Sequence, residues 1–224
     1  MIFTEQKPRE EILGFLKGRG PVFIVGCSEC ATACHTGGEE EVRQMKGILE
    51  EQGIPVSGHC VPESPCVAAN VKNALAGFAE EVKRSGAVLV MACGMGAQTV
   101  KDNLHANAVV VPCCNSMFPA SLDAKGGFRQ NCVLCGDCLL EASGTVCPLS
   151  LCPKGMLNGP CGGMTGGKCE VDPEKDCVWS LIYAELKKRG NLRFLNEIRK
   201  PRDYSLGFAS LKAGKGVDHP AGLH

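Results

Sequence analysis

The chain has 224 residues, with 24 basic and 24 acidic side chains giving a formal net charge of zero, and it carries 28 glycines and 16 cysteines. A chain of this length buries roughly 70% of the surface its unfolded form exposes, so it does not need crosslinks merely to fold. Its longest apolar run, Ala87 to Cys93, is strand-sized and excludes a membrane span, and the charged stretch Glu5 to Glu11 excludes a signal peptide with an apolar core. The expectation is a cytoplasmic protein, not inserted in a membrane, whose cysteines act as thiolate ligands rather than disulfides.

Pro21 to Val25 reads as a short buried strand ending at Gly26-Cys27, and Glu39 to Gln52 as a helix with Val42, Met45 and Leu49 on one face and Gly53 as its stop. A second strand runs from Ile54 through Cys60. It leads to a helix opened by Ser64-Pro65, in which Val67, Val71, Leu75, Phe78 and Val82 recur at three- and four-residue steps. Ala87 to Ala92 is a third strand, followed by Cys93-Gly94 and a shorter helix near Gln98 to His105, and Ala108 to Val111 is a fourth. Alternating strands and helices predict an α/β fold with a small, parallel, doubly wound (Rossmann-like) sheet.

Cys27, Cys60 and Cys93 each follow a predicted strand at intervals of 33 residues. The carboxyl edge of such a sheet is its ligand crevice, so thiols gather there. Cys27, Cys30 and Cys34 fall within eight residues, on a loop that leads through Gly37-Gly38 to a helix N-terminus. Such a loop can wrap a metal centre, whereas the glycines match neither phosphate-loop spacing. His35 reads as a helix cap in preference to a metal ligand. Cys60, Cys66 and Cys114 read equally well as packing residues.

After Gly126 the chain turns dense in glycine, proline and cysteine. Cys132, Cys135 and Cys138 are spaced Cys-x2-Cys-x2-Cys, and Cys147-Pro148, Cys152-Pro153, Cys161, Cys169 and Cys177 follow. A third thiol at the same spacing lets one loop ligate three corners of a cubane, and ferredoxin runs take a further ligand from a Cys-Pro context. Eight thiols suffice for two [4Fe-4S] clusters or for one cluster and a zinc. A helix follows from Val178 through Trp179, Ile182, Tyr183 and Leu186 towards Leu195, with Trp179 as core. From Lys187 onward there are nine basic and three acidic residues, which suits docking on an acidic partner better than nucleic-acid binding. The expected domains are 1–126 (α/β, with a cysteine-rich sheet edge), 127–180 (cysteine-rich and cluster-binding) and 181–224 (helix and basic docking tail).

The stretch Cys147-Pro-Leu-Ser-Leu-Cys152-Pro-Lys-Gly-Met-Leu-Asn-Gly-Pro-Cys161-Gly-Gly, followed by Gly167-Lys-Cys169-Glu and Asp176-Cys-Val-Trp179, resembles the methylenetetrahydrofolate reductase C-terminal domain family. The stand-alone form of that family is the small MetV-type subunit of acetogenic bacteria. The resemblance implies an iron-sulfur and zinc protein bound to a flavin-containing TIM-barrel subunit, which reduces 5,10-methylenetetrahydrofolate to 5-methyltetrahydrofolate in the Wood-Ljungdahl pathway. FMN and the carbon chemistry then belong to the partner. The present chain relays electrons from ferredoxin or a further redox subunit, and a zinc-stapled scaffold is the alternative. On this reading Cys132, Cys135, Cys138 and Cys147 form one site and Cys152, Cys161, Cys169 and Cys177 a second. Cys27, Cys30, Cys34 and Cys93 form a third metal centre, with Cys60 as substitute.

Overall fold

In a computed structural model, which describes residues 1–204, the chain runs through β1 (Ile2–Gln6), α1 (Arg9–Leu16), β2 (Val22–Val25), the single turn α2 (Cys30–Ala33), α3 (Glu39–Glu51), β3 (Val56–Cys60), α4 (Ala68–Ala76), α5 (Ala79–Lys83), β4 (Ala87–Val90), α6 (Gly94–Asn103), β5 (Val109–Pro112) and β6 (Cys114–Pro119). The chain folds as two compact units, the first being Met1–Phe118 and the second beginning at Pro119. The docking tail expected over 181–224 lies in part outside the described residues.

The first unit is α/β, built on a parallel four-stranded sheet in the order β3-β2-β4-β5. Helices cover it on both sides, which is why β2 and β4 are continuous apolar runs with every residue buried. Strand alternation divides the packing. Val22, Ile24 and Leu89 meet Ile12, Leu16, Val42, Met45 and Leu49 from α1 and α3, while Phe23, Val25, Val88 and Val90 meet Val71, Leu75, Val82 and Val100 from α4, α5 and α6.

The continuous apolar period over Val67–Val82 is two helices rather than one. Phe78 leaves helical geometry (φ −130°, ψ 30°) and sets its ring 5.6 Å from that of Phe23, so an aromatic contact with the sheet overrides the local pattern. A separate two-stranded sheet joins β1 to β6, and the rings of Phe3 and Phe118 stack at 5.0 Å.

The second unit is sparse in regular structure. It contains the two-residue strands β7 (Ser121–Leu122) and β8 (Phe128–Arg129), the short helix α7 (Pro148–Leu151), α8 (Val178–Lys188) and a 3-10 turn at Leu192–Asn196. Gly190, at φ 69°, ends α8 before the 3-10 turn, so the helix stops short of Leu195. Its buried core is Cys177, Val178, Trp179, Ile182 and Leu186, with Val146, Cys152, Met156, Met164 and Phe194 packed around it. Among the described residues no helix is long and apolar enough to cross a membrane.

Candidate metal centre

The sheet order reverses between β2 and β4, and such a switch point opens a crevice beyond the carboxyl ends of its two strands. Cys27 and Cys93 stand at those ends. Gly37 closes the loop against β4 so tightly that a Cβ there would collide with the Met91 carbonyl oxygen. Cys27 donates its N–H to the Gly37 carbonyl (2.8 Å). Its sulfur faces the N–H groups of Ala31 and Glu29. Burial pushes the Cys27 thiol up, and the charges of Cys30 and Cys93 push in the same direction, so these three thiols share one field.

Cys93 is the N-cap residue of α6. Cys34, at the end of α2, donates its thiol to the Ile2 carbonyl (3.8 Å), facing β1. Cys60 is 8% exposed; burial and the Glu39 carboxylate push its thiol up to about 12. His35 is not the helix cap. It adopts φ 54°, and Glu41 takes that role by accepting the Gly38 N–H at 2.9 Å. Cys113 and Cys114 lie in the core beneath α1 and α3, where a thiol–thiol hydrogen bond from Cys113 raises its own pKa and lowers that of Cys114.

In the second unit, Leu134 (φ 51°) and Gly136 (φ 82°) both take left-handed conformations. The strained Leu134 backbone directs its N–H to the Cys132 sulfur at 3.3 Å, the type of bond that supports a metal thiolate. The Arg202 side chain, 7% exposed, donates from Nη1 to Asp137 Oδ2 (2.6 Å) and from Nη2 to the Cys135 sulfur (3.5 Å). Its Nε is buried without a partner among the described residues. Cys138 is exposed, and Cys147 is half-buried at the N-terminus of α7.

Cys152, at the other end of α7, belongs to a different group. Together with Cys161, Cys169 and Cys177 it lines a cavity of about 320 Å³, walled also by Ser150 and Trp179. The Met156 N–H points at the Cys152 sulfur (3.5 Å), and Cys177 is the N-cap residue of α8. The Cys161 thiol donates to Glu170 Oε2 (3.4 Å), and the same carboxylate pairs with Lys154. That ion pair holds Glu170 below and Lys154 above their ordinary values, and the charges of Cys161 and Cys169 reinforce the effect on Lys154. Ser150 Oγ is buried with no partner among the described residues, a donor suited to an acceptor-bearing group in the cavity. A second cavity of about 500 Å³, lined by Tyr183, Phe194 and Arg199, shares Trp179 and Met164 with the first. Among the described residues no three His, Cys, Asp or Glu side chains stand close enough to hold a single metal ion.

Lys154, Glu170, Ser150 and Arg202 carry no spacing signal of their own. Only the position of Glu170 beside Cys169, and of Arg202 in a basic stretch, hinted at a role. Fold and thiols together define an α/β unit followed by a thiol-lined, cysteine-rich unit. Residues 111–205, which contain all of the second group of cysteines, match a family described as methylene-tetrahydrofolate reductase C terminal. This segment of the chain is similar to that family. No curated protein and no solved structure matches the chain.

Proposed function

We propose that this chain is the electron-transfer subunit of a methylenetetrahydrofolate reductase, of the small MetV type that serves the Wood-Ljungdahl pathway of acetogens. The observation that carries the reading is the cavity onto which Cys152, Cys161, Cys169 and Cys177 all face. A single zinc draws its sulfurs to about 2.3 Å of one point. Four thiols spread around about 320 Å³ suit a multi-atom group better, and the Ser150 hydroxyl on that wall, without a partner among the described residues, fits sulfide or thiolate as acceptor. A [4Fe-4S] cluster held there supplies one-electron transfer.

Around it the chain supplies charge and exclusion of water. Lys154 offsets thiolate charge, Met156 donates its N–H to Cys152, and Trp179 closes the inner wall. Cys132, Cys135, Cys138 and Cys147 hold a second cluster. Cys27, Cys30 and Cys93, with Cys34 completing the set, hold a third centre, iron-sulfur or zinc, at the sheet edge. The family match supports association with a catalytic reductase subunit. That partner is the flavin-containing TIM barrel, where FMN reduces 5,10-methylenetetrahydrofolate, and the electrons come from ferredoxin or a further redox subunit.

The test is iron, zinc and acid-labile sulfide per chain in anaerobically purified protein, expressed with and without the flavoprotein partner. About eight irons or more with matching sulfide are expected, two cubanes accounting for eight. Cys161→Ser should remove one cluster's share of that iron, whereas Cys114→Ala, in the core of the first unit, should remove none. Zinc without sulfide would make the chain a stapled scaffold for its partner.

A further inference from the structure

Arg202 is out of place for a charged residue in an irregular C-terminal segment. Its side chain is 7% exposed, whereas its partner Asp137 is 65% exposed. A guanidinium remains ionised under all ordinary conditions, and one so deeply buried has to find compensating acceptors. Asp137 provides the first, at 2.6 Å. The second acceptor is the Cys135 sulfur at 3.5 Å. The same sulfur donates to the Asp137 carbonyl at 3.5 Å, and a metal-bound thiolate in its place would accept a stronger, charge-assisted bond from the fork than a neutral thiol does. The third guanidinium nitrogen, Nε, is buried without a partner among the described residues.

The contact spans 65 residues to Asp137 and 67 to Cys135, so the fold and not local sequence brings Arg202 there. Asn158 delivers it. Its amide donates to the Arg199 carbonyl at 3.0 Å and accepts the Arg199 N–H at 2.8 Å, gripping the backbone three residues ahead of Arg202. The segment is thus stapled at one end to the loop that leads to Cys161 and at the other to the loop that carries Cys135.

We propose that Arg202 is a positioning residue for the Cys132–Cys138 centre, clamping the C-terminal segment onto this loop and favouring the reduced, more negatively charged state of the redox group held there. The inference rests on the reading of this loop as cluster-binding. One-electron reduction adds one negative charge next to a fixed positive one, so Arg202 raises the midpoint potential of the centre.

The test is a redox titration followed by electron paramagnetic resonance on the full-length, anaerobically purified protein and on Arg202→Gln, Arg202→Lys and Asp137→Asn, with iron counted for each. In Arg202→Gln the reduced-to-oxidised ratio of one centre should fall about tenfold, a midpoint about 59 mV more negative for a one-electron couple. Arg202→Lys keeps the charge without the fork and should recover most of that shift. Asp137→Asn leaves the guanidinium unopposed and should move the midpoint the other way. An unmoved midpoint in Arg202→Gln at full iron overturns the inference, as does a shift in Arg202→Lys equal to that in Arg202→Gln. Should Arg202→Gln fail to hold iron, an unmoved or lowered midpoint in Asp137→Asn overturns it instead. Wild-type protein without iron overturns the cluster reading and takes this inference with it, and that failure shows in the iron count before any variant is compared.

Discussion

Cys60 illustrates how one buried thiol couples the first unit to pH. Its ordinary value is 9.0, and burial, aided by the Glu39 carboxylate, pushes it up to about 12 in the folded chain. Below pH 9 both states keep the proton, and the group contributes no pH dependence. Between pH 9 and 12 the unfolded chain releases a proton that the folded chain retains, so stability falls by about 1.4 kcal/mol per pH unit, about 4 kcal/mol over the whole window. Cys27 shifts in the same direction, so the comparison must isolate Cys60. Urea unfolding at pH 8.5 and pH 10 is expected to show a loss in the wild type that exceeds the loss in Cys60→Ala by about 1 kcal/mol. A wild-type loss smaller than that of Cys60→Ala would mean that Cys60 is already ionised in the folded state, as a metal ligand is, and would return it to the sheet-edge centre, whereas equal losses would mean that burial does not shift it.

At the scale of elements, two glycines separate close approach from mere permissiveness. Gly37 sits where a Cβ would strike the Met91 carbonyl, whereas Gly47, inside α3, has open space around it. Gly37→Ala is expected to cost about 3 kcal/mol by forcing the Cys27–Cys34 loop off β4, and Gly47→Ala to stabilise by about 1 kcal/mol through helix propensity. Denaturant midpoints of the two variants check this, and a neutral Gly37→Ala would show that the loop is not pinned. The sheet and its covering helices were legible because β2, β4, α3 and α4 carry strong local periodicity. The strand β1 and helix α1 were not. Ile12 and Leu16 are the only fully buried positions of α1, and β1 acquires its identity by pairing with β6, a partner more than a hundred residues away in sequence. Helix α6 starts at Gly94, four residues before its first predicted position, because Ser116 Oγ accepts the Gly94 N–H at 2.8 Å, again a contact that local sequence does not contain. The thiols themselves could be read directly, since chain order already groups the four that line the cavity. The contacts of Arg202 with Cys135 and of Glu170 with Cys161 depend on tertiary approach.

The two units differ in what holds them together, so on the proposed reading metal dependence belongs to one unit rather than to the molecule. The first has apolar packing on both faces of a sheet. Among the described residues the second buries five in its core, one of them Cys177, with Cys152 against them, so the thiols proposed as ligands and its hydrophobic core are partly the same atoms. Binding that is confined to the folded state adds directly to stability. Removing the metal should therefore loosen the second unit and leave the first standing. The chain's single tryptophan is a reporter of this difference: Trp179 lies in the second core, donates its indole N–H to the Met156 carbonyl at 3.0 Å, and forms a wall of both cavities. Anaerobic treatment with a strong chelator is expected to red-shift Trp179 emission and expose the second unit to protease, while most far-ultraviolet circular dichroism persists and a cooperative thermal transition of the α/β unit remains. Unshifted emission after complete loss of metal would show that the apolar contacts of α8 suffice by themselves. Loss of all circular dichroism would show that the sheet, too, is held by the thiols at its edge, and would make the Cys27–Cys93 group as structural as the cavity it accompanies.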